Sequence, residues 1–446
     1  MNHLQNTILC FGLLCLSFLT LAQTPQGTFG NEWYASDPGR TFIPLKVWED
    51  GLFRVSAQEL LNAGYDLSTV NPDHLQLFYR GAEQRIYVQR SGNTLDYLEF
   101  EGLRNDGEVD ALMYRDPITG QPDPSLQPQP WLSLYTDTST YYLTWSNQPG
   151  LRMTSFFADN YASYSPEPSF PARFRLEFRP GEVNTVYRSG GGGQFDSFYF
   201  LNPDYVTGEG YCGPSFGFNA PMNLSLNLPV ALPDTQTLQI RARVFGVSNS
   251  PHFLRIRVNQ TIAFDTAVNV SQVSIREHPF SFFTALPNAP LLLEFEALRS
   301  PIDVNRLTGL SIGYRRLPDL LGEKQLVLDH WPQTDTIRLD LNQIDGSDSL
   351  YVWDTQQGIR SKGVIATSQG QVLLPLSTAS QNVRIVSDLG VQTPLIQTAA
   401  RLNHLCAPDS GAQFVIITHR SLAASAEAYA HYRDTSSIEP LSSRLV

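Results

Sequence analysis

The sequence predicts a mainly β protein: several antiparallel β-sandwich or jelly-roll domains, followed by the first β-α unit of an α/β sheet that is cut short. Three observations predict it. Charged residues are only 17% of the 446-residue chain, while 30 Pro, 31 Gly, 25 Phe and 19 Tyr suit short strands and turns better than Lys/Glu-rich helices. Apolar residues recur with period 2, as in a strand with one packed and one wet face. From Phe414 the pattern changes to a continuous apolar run and then to helical composition.

In chain order, the run from Ile8 to Ala22 (ILCFGLLCLSFLTLA) is apolar and uncharged, yet shorter than the roughly 20 residues that cross a bilayer. It reads as the core of a signal peptide over residues 1–22, with Thr20-Leu21-Ala22 as the small-residue cleavage site, although residues 1–5 hold no Lys or Arg. The mature chain is then exported and starts near Gln23, and no later stretch is long enough to span a membrane. Removing the leader takes Cys10 and Cys15 with it and leaves Cys212 and Cys406, too few for a disulfide scaffold. A single bridge between them and two buried free thiols both stay open.

An N-terminal β-rich domain occupies residues 23–163. Its best helix runs from Ser56 to Ala63, where Ser56 and Glu59 form a capping box and Gly64 supplies a left-handed stop. Residues 115–131 (RDPITGQPDPSLQPQPW) carry too many prolines for a sheet interior and form a loop, with Trp131 to Trp145 returning to strand. A linker over 164–171 leads to a jelly-roll-like β-sandwich over 170–317. There Phe174, Leu176 and Phe178 alternate with Arg173, Arg175, Glu177 and Arg179, and Leu224, Leu226 and Leu228 alternate with Ser225 and Asn227. Leu238, Ile240, Ala242 and Val244 interleave with Gln239, Arg241 and Arg243, and Leu254, Ile256 and Val258 follow the turn Asn249-Ser250-Pro251. A small β domain over 326–405, with Ile337, Leu339 and Leu341 in alternation, precedes a last block over 411–446. In that block Phe414 to Thr418 (FVIIT) fits a strand covered on both faces, Ser421 caps a helix that reaches Arg433, and Ser443 to Val446 begins a further strand. One β-α unit by itself leaves strand edges unpaired.

With 31 basic against 43 acidic side chains the net charge is −12. Each added carboxylate raises the work of bringing another anion close, which excludes nucleic acid and anionic lipid as partners.

Several motifs suggest chemistry, and most dissolve in their context. Gly213-Pro214-Ser215-Phe216-Gly217 matches the G-x-S-x-G nucleophile elbow, but strand rather than helix follows, so no helix N-terminus faces an oxyanion; a tight loop is the reading. His404-Leu405-Cys406 places imidazole and thiol too close in sequence for a nucleophile pair. His419 ends the apolar strand, where α/β enzymes place functional groups and where a polar strand cap is commoner. Gly190 to Gly193 lacks the Lys-Ser/Thr of a phosphate loop and reads as a flexible connection. Asn105-Asp106-Gly107-Glu108-Val109-Asp110 lacks EF-hand spacing and reads as a solvated turn; no His/Cys cluster has zinc spacing. Sequons stand at Asn223, Asn259 and Asn269.

A series of short segments resembles the upstream part of gingipain-type cysteine peptidases, most closely the sortase of the bacterial type IX secretion system. The segments are Glu49-Asp50-Gly51-Leu52-Phe53-Arg54-Val55 with the short helix, Leu75 to Phe78, Tyr97-Leu98-Glu99-Phe100 with Asn105-Asp106-Gly107, Tyr141-Tyr142-Leu143-Thr144-Trp145, Gly208-Glu209-Gly210-Tyr211, Tyr351-Val352-Trp353-Asp354, and Gln413-Phe414-Val415-Ile416-Ile417-Thr418-His419. Their shared order carries the resemblance. It implies that 411–446 is the incomplete start of a caspase-like α/β peptidase domain whose catalytic His, typically followed by Gly, and Cys nucleophile lie on later strands. None of the eight histidines here precedes Gly, so no catalytic, cofactor or metal residue is assigned. The resemblance further implies a periplasmic, outer-membrane-surface or extracellular location. Its implied partners are exported cargo, cleaved at a C-terminal sorting domain, and outer-membrane secretion components. The alternative expectation is a stand-alone carbohydrate-binding or adhesion module, in which Tyr199, Phe200 and Tyr205 would stack on sugar rings, although core packing is the commoner role for such aromatics.

Overall fold

The computed structural model describes residues 40–116, 119–157, 160–188, 205–248, 251–271, 274–286, 290–331, 335–344, 349–366, 369–378, 380–398, 414–436 and 443–445. The chain is mainly β, with several antiparallel sheets and a helix near its C-terminal end. The proposed signal peptide, His404, Cys406, Gly190 to Gly193, Tyr199 and Phe200 lie outside the described residues.

Residues Ile43–Tyr79 with Glu83–Thr398 form one compact unit. Its first strands are β1 (Ile43–Val47), β2 (Gly51–Ser56), β3 (Leu75–Tyr79), β4 (Ala82–Gln84), β5 (Tyr87–Ser91), β6 (Thr94–Gly102), β7 (Ser139–Trp145) and β8 (Thr154–Phe156). β1 and β3 flank β7 in one antiparallel sheet, and β2, β6 and β5 form a second. Ile43, Leu45, Phe53, Val55, Leu77, Leu98, Phe100 and Leu143 pack between them. The expected helix is α1 (Ala57–Asn62), and its capping box is complete: Ser56 Oγ accepts from the Glu59 N–H at 3.1 Å, and Glu59 Oε2 accepts from the Ser56 N–H at 2.7 Å. Such a cap stabilises a helix by about 1 kcal/mol. Gly64 follows with φ +93°, a conformation that side chains with a Cβ resist. Strand does not resume at Trp131 but at Ser139, because the buried Asp110 carboxylate accepts from Ser133 Oγ at 3.0 Å and from the Leu134 N–H at 2.7 Å and holds that segment as loop.

The sandwich adds β9 (Phe170–Leu176), β10 (Val186–Arg188), β11 (Gly210–Cys212), β12 (Ser215–Gly217), β13 (Met222–Leu226), β14 (Thr235–Gly246), β15 (Pro251–Val258), β16 (Thr261–Ser271), β17 (Ser274–Ala285), β18 (Leu291–Ala297) and β19 (Val304–Arg316). One sheet runs β12-β19-β14-β17, with β9 also paired to β19; the other runs β13-β18-β15-β16. β14 and β15 are consecutive yet belong to different sheets, so the chain crosses the sandwich between them. The alternation read from the sequence is the packing: Leu238, Ile240, Ala242 and Val244 are at most 4% exposed and share a core with Leu254, Ile256, Val258, Leu307, Leu310 and Ile312. Pro279 sits inside β17, an edge strand, the place in a sheet where a proline is tolerated.

The following strands are β20 (Gln325–Leu328), β21 (Thr336–Leu341), β22 (Leu350–Asp354), β23 (Ile359–Ala366), β24 (Gln369–Pro375), β25 (Val383–Ser387) and β26 (Leu395–Ile396). They form a sheet in the order β20-β25-β22-β23-β24-β21, and their buried Leu339, Val352, Leu374 and Ile385 belong to the same core as the sandwich. Two strands leave their sequence neighbourhood: β8 joins β23 in parallel, and β26 pairs with β1.

The second unit contains β27 (Phe414–Ile416), α2 (Ala423–Thr435) and β28 (Ser443–Leu445), with β27 and β28 parallel. Strand, helix and a further strand thus appear where the sequence placed them. Two details differ. Ile417 is 84% exposed and outside the strand, so the apolar run is not covered on both faces along its length. Ser421 does not cap α2, because a 3-10 turn over Arg420–Leu422 intervenes and Leu422 takes the cap position without a side-chain bond.

Candidate functional site

The densest chemistry lies on β6. Glu99 and Glu101 are two residues apart and therefore on one strand face, which alternation assigns to water. A second sheet covers it instead. Glu99 is fully buried; its Oε1 accepts from Arg54 Nε at 2.9 Å and Nη2 at 2.5 Å, and its Oε2 accepts from Arg360 Nε at 2.7 Å. Glu101 Oε1 accepts from Arg384 Nε at 2.6 Å, and its other oxygen accepts from the Thr355 hydroxyl. Aromatic faces complete the cationic surroundings: the Arg360 guanidinium lies 3.8 Å from the Tyr87 ring centre, and that of Arg54 lies 4.5 Å from Tyr97 and 5.4 Å from Tyr351. Burial works against the Arg54 charge, but hydrogen bonds to Glu99 and Tyr351 outweigh it and raise the pKa.

This seam ties β2, β5 and β6 to β22, β23 and β25. Every carboxylate oxygen in it has a cationic or hydroxyl partner, so it braces the two sheets against each other. Beside it opens a polar cleft of about 590 Å³, whose walls include Glu101, Arg104, Trp131, Arg175, Asn382 and Arg384. Arg104 donates to Glu177 at 2.5 Å and its backbone N–H donates to Asp50 at 2.9 Å.

A second arrangement imitates a catalytic dyad. His252 Nδ1 and Asp303 Oδ1 are 2.6 Å apart, both groups buried, and Asp303 also accepts from the Phe253 N–H and the Asn305 amide. The outward nitrogen of a working base must reach a nucleophile. Here Nε2 has no hydrogen-bond partner and packs on Gly246, where even a methyl group would collide with the ring. The pair pins the start of β15 to the turn before β19. No local pattern in the sequence signals it, because His252 and Asp303 are 51 residues apart.

The sequence candidates stay dispersed. Ser215 is an exposed residue of β12, and a turn into β13, not a helix, follows Gly217. Cys212 is a buried free thiol whose pKa burial raises, opposite to what a nucleophile needs. Asp106 accepts from the Glu108 N–H at 3.1 Å while Asp110 is buried among Ser133 and Leu134, so the Asn105–Asp110 turn is not fully solvated. Among the described residues no three His, Cys, Asp or Glu side chains are placed to hold a metal ion. Tyr205 has its hydroxyl 2.5 Å from that of Tyr135 and its ring against Tyr114. Asn223 and Asn259 are exposed, and Asn259 Oδ1 accepts from the Leu292 N–H. His419 Nδ1 lies 2.8 Å from the Ser421 hydroxyl and accepts from the Ser421 N–H at 3.3 Å, which closes the turn into α2. No helix among the described residues is long and apolar enough to cross a membrane.

No protein-family model matches the chain, and no curated protein matches it. Among solved structures, dimeric latent PorU from Porphyromonas gingivalis is similar in fold, with a TM-score of 0.54 and 12% identity over 92% of this chain and 37% of that one. The CBM36-1 domain of a multidomain xylanase from the hindgut metagenome of Trinervitermes trinervoides aligns over 32% of this chain and 97% of its own, at TM-score 0.20 and 12% identity. A family 35 carbohydrate binding module from Clostridium thermocellum aligns over 32% and 96%, at TM-score 0.18 and 12% identity. The chain therefore shares the fold of a little over a third of PorU.

Proposed function

We propose that this chain is the non-catalytic front region of an exported gingipain-type cysteine peptidase, of the kind that acts as the type IX secretion sortase. The observation that carries the reading is the fold shared with PorU over 92% of the chain. The ordered sequence segments support it, because they fall on framework elements: Gly51–Ser56 is β2 running into the capped helix, Tyr97 to Phe100 lies in β6, Tyr141 to Trp145 in β7, Tyr351 to Asp354 in β22 and Phe414 to Ile416 is β27. The unit of β27, α2 and β28 leaves Ile417, Leu422, Tyr429 and Tyr432 exposed, the surface that further strands of a parallel sheet would cover.

In this reading the whole protein cleaves a C-terminal sorting domain from exported cargo. A cysteine thiolate attacks the scissile carbonyl, the sorting domain leaves with its amine, and an amine on a surface glycolipid opens the resulting thioester. The region described here frames that chemistry and supplies none of its reacting groups. A saccharide-binding role for the sandwich is compatible with it.

The test is a cleavage assay of residues 23–446 on cargo bearing a C-terminal sorting domain, beside sequencing of the gene past codon 446. The expected results are no thiol-dependent cleavage and downstream coding sequence, in the same or a shifted frame, for His-Gly and a later Cys. Cleavage that a cysteine alkylator blocks would overturn the proposal.

A further inference from the structure

The outer face of the sheet β9-β19-β14-β17 divides into a covered and an open half. Over the first half lies the proline-rich loop: Trp131 packs on Gly309, and Arg243 donates to the carbonyls of Ser125, Gln127 and Pro128 at 2.6–3.0 Å. Over the second half lies an open groove of about 490 Å³. Gly313 lies in its floor, bare because an added Cβ would stand 3.3 Å from the Cβ of Gln239 across the ladder.

The register fixes what surrounds Gly313 on that face. Arg173 stands directly opposite on β9 with Arg175 on the diagonal, Arg241 is diagonal on β14, and Arg315 is two residues along the same strand. None of the side chains around this position is acidic. Carboxylates from farther out answer two of the four arginines: Asp329 holds Arg173 at 2.7 Å and Glu277 holds Arg241 at 2.9 Å. The other two have no carboxylate in contact. Arg175 is exposed where the groove meets the cleft beside the β6 seam, and it makes no hydrogen bond or ion pair among the described residues. Arg315 is half-buried, with its guanidinium 5.0 Å from the Trp331 ring centre, its Nε donating to the Ser169 hydroxyl at 3.1 Å and its Nη2 to the Ser169 carbonyl. Serine and tryptophan fix its position without supplying negative charge. Burial works against that charge and lowers the pKa, and Glu167 opposes the shift only from a distance.

We propose that this groove binds a small phosphate monoester, its phosphoryl group seated between Arg173 and Arg315. The charge of the floor selects this class. Two guanidinium charges, those of Arg175 and Arg315, are unmatched, and a phosphate monoester carries about −1.5 to −2 near pH 7, whereas a single carboxylate would leave one of them over. The planar guanidinium also meets phosphoryl oxygens in pairs. A long polyanion is disfavoured, because the whole chain carries −12 and repels each further unit of it. Gln239, whose amide oxygen accepts from the Ser281 hydroxyl at 2.9 Å, and Ser311 offer donors and acceptors to the polar body of the ester.

The test is isothermal titration calorimetry of the full chain with glucose 1-phosphate, inorganic phosphate, glucuronate and glucose. We expect saturable binding of glucose 1-phosphate, weaker binding of inorganic phosphate and of glucuronate, and none of glucose. Arg315→Gln should lower the affinity for glucose 1-phosphate roughly tenfold or more with its far-UV circular dichroism unchanged, and Arg175→Gln about threefold. Arg90→Gln, on β5, should leave it unchanged. Arg175 is exposed and unpaired, so its variant decides the matter should Arg315→Gln unfold. No binding of either phosphate compound, glucuronate or glucose binding as tightly as glucose 1-phosphate, wild-type affinity in Arg175→Gln or in a folded Arg315→Gln, or an equal loss in Arg90→Gln would each overturn the proposal. The assay involves no peptide cleavage, so its failure leaves the peptidase reading untouched.

Discussion

The β6 seam and the outer face of the sandwich both pair arginines with carboxylates, and they do so under opposite conditions. At the seam the Arg360 and Glu99 side chains are 4% and 0% exposed; on the outer face Arg241 and Glu277 are 58% and 38% exposed. Coulomb attraction grows as water is excluded, and so does the cost of stranding one partner. The lesson is that the seam holds two sheets together, while the outer-face pairs sit in water and hold little.

The largest effect expected from breaking this contrast is at Glu99. Glu99→Ala would leave Arg54 and Arg360 facing each other without an anion, and chemical denaturation should show a loss of roughly 3–5 kcal/mol. A smaller loss would mean that water reaches the seam.

His278 sharpens the comparison, because it is buried with no anion to offset burial. Burial first, and the neighbouring Arg276 second, lower its pKa from 6.5 to about 4. The unfolded chain takes up a proton as pH falls below 6.5 while the folded chain does not, so the contribution is intact above pH 6.5 and lost on the way down to 4. The wild type should lose up to about 3 kcal/mol more than His278→Gln across that window, measured by urea titration at each pH.

At the exposed end, Arg241→Ala should change stability by less than about 1 kcal/mol, an effect that moderate salt erases. A larger loss in thermal unfolding would place that pair in the framework rather than on a surface.

Much of the fold is legible in the sequence wherever one strand decides its own two faces. Leu238 to Val244 and Leu254 to Val258 announce their buried sides by period alone, and the Ser56/Glu59 box announces a helix start from four consecutive residues. Legibility ends where a second layer covers the face that alternation leaves wet. Glu99 reads as solvated because Arg360, its partner, is 261 residues away, and nothing near either residue reveals the other. Ser421 misleads for a local reason: its hydroxyl finds His419 in a tight turn before it can reach a helical N–H.

The pairing of β1 with β26 sets a schedule for how the molecule matures. Leu45 meets Ile396 only after nearly the whole intervening chain has been made. Closing so long a loop is slow and costs entropy before any contact rewards it. A nascent chain must therefore carry one bare margin beside β1 until Ile396 arrives, a vulnerable interval in which chaperones would have the most to do.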